Sequence, residues 1–134
     1  MIYTSYFSKV KALYGQNPNL VFVSIAGKTP NWFDNSLLEI FKYPKLAPNY
    51  EWWNTWKDKF GVDLESDESI SWYTKKYYEN VLNKLNPIFV KQELLELSDR
   101  KDVVLLCYET PEKFCHRKLV KEWFNSVEID CKEI

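Results

Sequence analysis

Two short runs in this chain are apolar at nearly every position: LVFVSI at 20–25 and VVLLCY at 103–108. A strand with one wet face alternates apolar and polar residues. A strand covered on both faces does not, and such runs suit a parallel sheet packed between helices. Ile2–Tyr6 is a third candidate strand, and VEIDC at 127–131 alternates as a half-exposed edge strand would.

Between these runs the spacing is helical. Phe7, Val10, Leu13 and Tyr14 share one face of a helix over 7–14, with Gly15 as its stop. Pro30, Pro44 and Pro48 leave room for one short helix at about 35–42. Asn49 caps a helix running to Phe60, just before Gly61, with Trp53, Trp56 and Phe60 on one side. The longest helix spans Ser66–Leu85. Its stripe is Ile70, Tyr73, Tyr77, Tyr78, Val81 and Leu85, and Asp67 and Glu68 lie at its positive end. Asn86 and Pro87 form a cap-and-first-turn pair opening a helix to about Leu97, and a last helix ends near Asn125.

Strands separated by helices need crossovers. The expected fold is therefore α/β: a three-layer sandwich with a mostly parallel four- or five-stranded sheet and a helical insertion between the second and third strands, residues 26–101. At 134 residues this is a single α/β domain over 1–134.

Bulk properties narrow the function classes. A formal net charge of −1 gives no basic field that would mark nucleic acid as the default partner. Nucleic-acid binding and oligomeric state stay open. With 3 glycines there is no glycine-rich phosphate loop. No apolar run approaches the ~18–20 residues that span a bilayer, so no membrane partner is expected. The N-terminus lacks the basic and apolar regions of a secretory signal. Cys107, Cys115 and Cys131 are odd in number and not paired by spacing, so no disulfide is expected and the compartment is read as cytoplasmic.

Chemistry concentrates in one segment, Val104-LLCYETPEKFCHRKLVKEWF, which runs from a buried strand through a loop into a helix. It holds the chain's only histidine, one of its two arginines and two of its three cysteines. Ligands of open parallel sheets bind outside such strand ends. Helical spacing puts His116 at the centre of the stripe made by Leu119, Val120, Trp123 and Phe124, pointing at the sheet, with Arg117 at the stripe edge. Arg117 reads either as a bidentate anion ligand or as a salt-bridge partner of Glu109. His116 reads either as an acid–base residue or as a core histidine bonded to a strand carbonyl or to Glu109.

Cys115, just before a helix start, is placed for a lowered pKa, whereas Cys107 in its apolar strand reads as a small buried residue. A phosphatase-like thiol loop is disfavoured by Glu109 and Glu112 and by the lack of glycine there. No Cys-x₂₋₄-Cys pair exists, and Cys115 and His116 would diverge by about 100° in a helix, so neither metal nor cofactor is expected. The aromatics Trp52, Trp53, Trp56, Trp72 and Tyr73 suit base stacking or core packing. Trp32 and Trp52 are expected to be exposed near a pocket.

The LLCYETPEKFCHRKLVKEW segment resembles the family called domain of unknown function 488: a strand ending Cys-x-Glu, a short proline-containing loop, and Cys-His-Arg opening a helix. Tyr3-Thr-Ser-Tyr-Phe7 and Val23-SIAGKTPNW are similar to further landmarks of that family. Residues 35–85 match by position and helical character only. Many members carry Asp-Val-Arg after the second strand. Here the chain reads Ser24-Ile-Ala-Gly-Lys28, with Lys28 as the partial substitute. The resemblance implies a fold and a site but no reaction.

Together these observations predict a polar pocket at the strand ends with Glu109, His116 and Arg117 at its centre. Thr4 or Ser5, Ser24, Lys28, Trp32 and Cys115 would line it, around a small anionic or nucleotide-like ligand. Two alternatives are a hydrolase or transferase acting on a nucleotide or nucleic acid with Glu109 or His116 as base, and a non-catalytic interaction module that uses exposed aromatics.

Overall fold

The structure is a computed structural model that describes residues 1–34, 36 and 38–134. Its strands are β1 (Ile2–Tyr6), β2 (Val21–Ser24), β3 (Ile40–Lys42), β4 (Val103–Cys107) and β5 (Cys131–Glu133). They form one sheet in the order β3-β2-β4-β1-β5, and every pairing is parallel. The helices are α1 (Val10–Gln16), α2 (Tyr50–Phe60), α3 (Asp67–Asn80), α4 (Pro87–Leu97) and α5 (His116–Asn125).

The fully apolar 103–108 run is explained by position. β4 lies at the centre of the sheet, and all five of its residues are buried. Val104 and Leu106 join Phe7, Val10 and Leu13 on the α1 side, while Val103, Leu105 and Cys107 join the larger core made with α2–α5. The connection from β1 to β2 passes over the α1 face. The return from β3 to β4, and the step from β4 to β5, use the other face. Opposite directions along the sheet on opposite faces are what a single crossover handedness requires.

Local signals place the long helices. Asn49, Ser66 and Asn86 each cap their helix, accepting from Glu51 N–H at 2.8 Å, Ser69 N–H at 3.1 Å and Ile88 N–H at 2.9 Å. Trp56 Nε1 donates to Ser69 Oγ at 2.8 Å, tying α2 to α3. Tyr77, in the middle of the α3 stripe, is fully buried and donates its hydroxyl to Leu46 O at 2.5 Å.

Three expectations are corrected. Gly15 lies inside α1, which ends instead at Gln16 with Asn17 as its C-cap, whose N–H bonds Leu13 O. The short helix expected at 35–42 does not form over 40–42, which is the edge strand β3; Asn35 and Leu37 lie outside the described residues. The insertion between β2 and β4 is thus helical but also contains a strand. The C-terminal edge strand is Cys131–Glu133 and not 127–131. Glu128 takes a left-handed φ of 62° to turn the chain out of α5, and pairing with β1 starts only at Cys131, opposite Ile2. Among the described residues no helix is long and apolar enough to cross a membrane.

Burial pushes the Cys131 thiol up to about 12, with Lys121 opposing the shift and Asp130 adding to it. A thiol raised in the folded state contributes stability that is complete below its ordinary value near 9 and is lost as pH rises through about 12. Urea unfolding should therefore show stability falling over this interval, by up to ~1.4 kcal/mol per pH unit from this thiol. Cys131→Ala should flatten that part of the profile.

Candidate functional site

Adjacent strands β2 and β4 send their chains to opposite faces. The segment after β2 turns toward the α1 side, where Ala26, Phe33 and Leu38 pack, while β4 leads into α5 on the other side. Such a parting of connections opens a crevice at the strand ends. The crevice here is a cleft of about 920 Å³. One wall is Ala26–Lys28, another is Tyr50, Trp53 and Trp56 of α2, and Tyr108, Glu109, Lys113, Phe114 and Cys115 of the loop after β4 complete the lining. Tyr108 donates its hydroxyl to Lys28 O, linking the two strand-end loops. Glu65 accepts the Phe114 N–H at 2.8 and 3.0 Å and so holds the loop from the α3 side.

The floor of the cleft is Cys107, Cys115 and His116. Cys115 is the N-cap of α5, with extended backbone angles of φ −148° and ψ 147°. It is therefore not helical, and the expected divergence of Cys115 and His116 is overturned: both side chains turn toward Cys107. Their ligand atoms lie within 4.8 Å of one another. His116 is buried against the sheet, as its place in the stripe predicts. Its Nε2 is 2.7 Å from Ile25 O. A carbonyl only accepts, so Nε2 carries the hydrogen and Nδ1 presents its lone pair. Nδ1 lies 3.9 Å from Cys115 Sγ and 3.5 Å from Cys107 Sγ, and Cys107 Sγ lies 3.3 Å from Nε2.

The two thiols are driven apart in acidity. Burial dominates at Cys107 and pushes its thiol well up. At Cys115 burial also pushes up. The hydrogen bond from Cys107 and the contact with the His116 ring outweigh it and hold the thiol well below its ordinary range. The N-terminus of α5 adds its positive end, although no ordinary capping hydrogen bond reaches the Cys115 side chain.

Arg117 has a different task. Its side chain is fully buried and turned away from the cleft, toward β5. Nε donates to Glu133 Oε1 at 3.0 Å, Nη2 to Glu133 Oε2 at 3.1 Å, and Nη1 to the backbone carbonyl of Glu109 at 2.5 Å. The expected pairing of the Glu109 and Arg117 side chains is thus replaced by Arg117–Glu133. The Glu109 carboxylate lies half-exposed on the cleft wall, 3.9 Å from Lys113. Glu133 was not anticipated from the sequence. It stands on a short edge strand among other charges, and nothing local marks it as the partner of a residue sixteen positions earlier.

The remaining expected residues divide in the same way. Lys28 and Cys115 line the cleft. Thr4 is buried and donates to Glu133 at 2.6 Å, and Ser5 donates to the Ile134 carbonyl at 2.8 Å, so both serve the C-terminal strand. The hydroxyl of Ser24 lies 3.3 Å from Ala26 N–H within its own turn. Trp32 is exposed but packs on Phe33, outside the cleft lining. Trp52, expected to be exposed, packs edge-on against Tyr73 with its ring nitrogen buried. The aromatics that do line the cleft are Tyr50, Trp53, Trp56, Tyr73, Tyr108 and Phe114.

A family model described as DUF488-N3a, the active DUF488-N3 subclade, matches residues 27–128. The chain belongs to the DUF488-N3a family. No curated protein and no solved structure matches it. The matched span takes in Lys28, Cys107, Cys115 and His116, and it runs through the middle helices whose resemblance in sequence was positional only. It stops short of Glu133.

Replacing Arg117 by Ala leaves the Glu133 carboxylate and the Glu109 carbonyl without their donor. Chemical denaturation should show a loss of ~2–4 kcal/mol. Glu109→Gln alters only a half-exposed side chain and should stay within ~0.5 kcal/mol of wild type. The opposite ranking would return the structural role to the Glu109 carboxylate.

Proposed function

We propose that this domain is a thiol-dependent enzyme. In this reading the cleft binds a small, flat, anion-bearing ligand of nucleotide type, and Cys115 attacks an electrophilic carbon of it. The observation that carries the proposal is the placement of Cys115. It sits on the floor of an aromatic cleft, at a helix N-terminus, beside a histidine whose far nitrogen is fixed by the Ile25 carbonyl. Nucleophile, base and orienting group are the parts such chemistry needs.

Each step has a residue to serve it. Cys115 Sγ bonds to the carbon as the thiolate, its proton already taken by His116 Nδ1. The leaving group takes that proton as its bond to the carbon breaks. Water, or an acceptor hydroxyl, then displaces Cys115 with His116 again receiving the proton, which gives hydrolysis or transfer. Glu65 and Glu109 on the cleft walls argue against phosphoryl transfer at the sulfur, because they would repel a phosphate held there. Lys28, Lys57 and Lys113 sit where they would meet an anionic group lying further out. Tyr50 stacks on Trp53 at 6.3 Å, offering an aromatic face to a flat ring. The description of the matched subclade as active agrees with a catalytic role.

The test combines reactivity with binding. Iodoacetamide should alkylate native wild-type protein first at Cys115, which is 8% exposed and has a lowered pKa, ahead of Cys107 at 0% and Cys131 at 1%. Nucleotides screened by thermal shift should stabilise wild type, and a bound one should slow the alkylation. Trp53→Ala should weaken that protection by ~10-fold, as for the loss of one stacked ring at ~1–3 kcal/mol. Uniformly slow alkylation of all three cysteines would refute the thiol reading. A thermal shift with nucleotides but no Cys115 reactivity would leave a ligand-binding domain without this chemistry.

A further inference from the structure

The floor of the cleft holds more donor atoms than the proposed reaction uses. Cys107 has no step in it, yet its sulfur lies beside the same imidazole, 3.3 Å from Nε2 and 3.5 Å from Nδ1. We propose that Cys107, Cys115 and His116 form a binding site for a thiophilic divalent cation of the zinc class, held by two sulfurs and Nδ1 with its fourth position facing the cleft. This goes beyond the thiol reading, because an occupied site would remove Cys115 as a free nucleophile.

The donor geometry suits a tetrahedral ion. Zinc bonds of ~2.3 Å to sulfur and ~2.0–2.1 Å to nitrogen separate the S and N donors by ~3.6 Å. The observed separations from Nδ1 are 3.5 Å to Cys107 and 3.9 Å to Cys115. Cys107 Sγ lies as near to Nε2 as to Nδ1, so its side chain turns toward Nδ1 when the ion binds, and the three ligand atoms already lie within 4.8 Å of one another. The outer contacts also match. Metal-bound histidines commonly donate their other ring N–H to a carbonyl, which fixes the tautomer, and the Ile25 carbonyl occupies that role here. Sulfur donors select zinc-class ions over magnesium or calcium.

The charge balances as well. Binding releases the two thiol protons to solvent, and two thiolates with a neutral imidazole neutralise the dication. A neutral centre is the form least penalised at a site where all three ligands are buried. The three ligands come from the end of a central strand and the first turn of a helix, so the backbone holds them at the cleft floor before any ion arrives. The fourth position, open to the cleft, would take water or an atom of a bound molecule.

Cobalt(II) reports this site without any assay of turnover. Full-length protein, reduced with a phosphine, should develop a thiolate-to-cobalt charge-transfer band in the near ultraviolet that saturates at one equivalent and is displaced by zinc. Cys107→Ser and Cys115→Ser should each weaken cobalt binding by at least ~10–100-fold. Cys131→Ser, remote from the cleft, should bind as wild type, with circular dichroism confirming the fold of each variant. Wild type also gives a test free of mutation: zinc should protect Cys115 from iodoacetamide. No cobalt band in wild type, a band retained in Cys107→Ser, or alkylation of Cys115 at the same rate with and without zinc would each overturn the site. Fast Cys115 alkylation without a cobalt band would sink the metal site and leave the thiol reading standing. A cobalt band in a protein whose metal-free Cys115 does not react would do the reverse.

Discussion

A fully buried guanidinium has to find its hydrogen-bond acceptors within the protein, and Arg117 finds them in two places that are far apart in the chain. Glu133 binds it from the last strand, and the Glu109 carbonyl binds it from the loop after the central strand. One side chain therefore fixes the C-terminal edge of the sheet, the loop that floors the cleft, and the first turn of α5. Thr4 strengthens the arrangement by donating to the same Glu133 carboxylate from β1. Arg117 gains a face contact with the Tyr6 ring, 5.6 Å from the guanidinium carbon. Cys115 and His116 immediately precede Arg117, so their positions follow from its anchoring.

The cleft above them is shaped by the part of the chain with the least distinctive sequence. The helices between β3 and β4 supply one aromatic wall, and Glu65 reaches across to hold the Phe114 amide. Behind His116 the rings form a continuous packing: Tyr77 lies 5.4 Å from the imidazole, Tyr73 stacks on Tyr77, and Trp56 and Phe114 meet Tyr73 edge-on. The high aromatic content of the chain thus serves two purposes. Most of it is core, and a smaller group at the outer edge faces the cleft.

The acidities of Cys107 and Cys115 show how a small change of surroundings separates chemically identical groups. Both are buried, and burial raises both. Cys107 is embedded in the central strand, where the burial effect prevails. Cys115 sits at the start of a helix and receives hydrogen bonds from its neighbours, so its charged form is the one stabilised.

How much of this was legible in the sequence depends on the range of the interactions involved. The unbroken apolar character of 103–107 identified the central strand, because a strand covered on both faces has no wet side on which polar residues would alternate. Asn49, Ser66 and Asn86 marked helix starts through contacts two or three residues away. The periodicity after Cys115 put His116 inward. Each of these is a local rule, written within one or two turns of chain. The sheet edge was less clear: 127–131 alternates like a strand, yet the turn at Glu128 delays pairing to Cys131. The partner of Arg117 was not legible, because Glu109 and Glu133 are equally plausible carboxylates in one dimension and only the placement of β5 beside β1 chooses between them. Nor was the meeting of Cys107, Cys115 and His116. Counting residues at helical spacing sends Cys115 and His116 apart. The N-cap conformation of Cys115 turns its side chain back toward the strand, and that conformation is set by the loop's attachments to Glu65 and Arg117. The sequence by itself determined the layers, the central strand and the inward face of α5, since those follow from local periodicity and burial. Tertiary structure alone decided which charges pair and which sulfurs share an imidazole, since those depend on contacts between segments far apart along the chain.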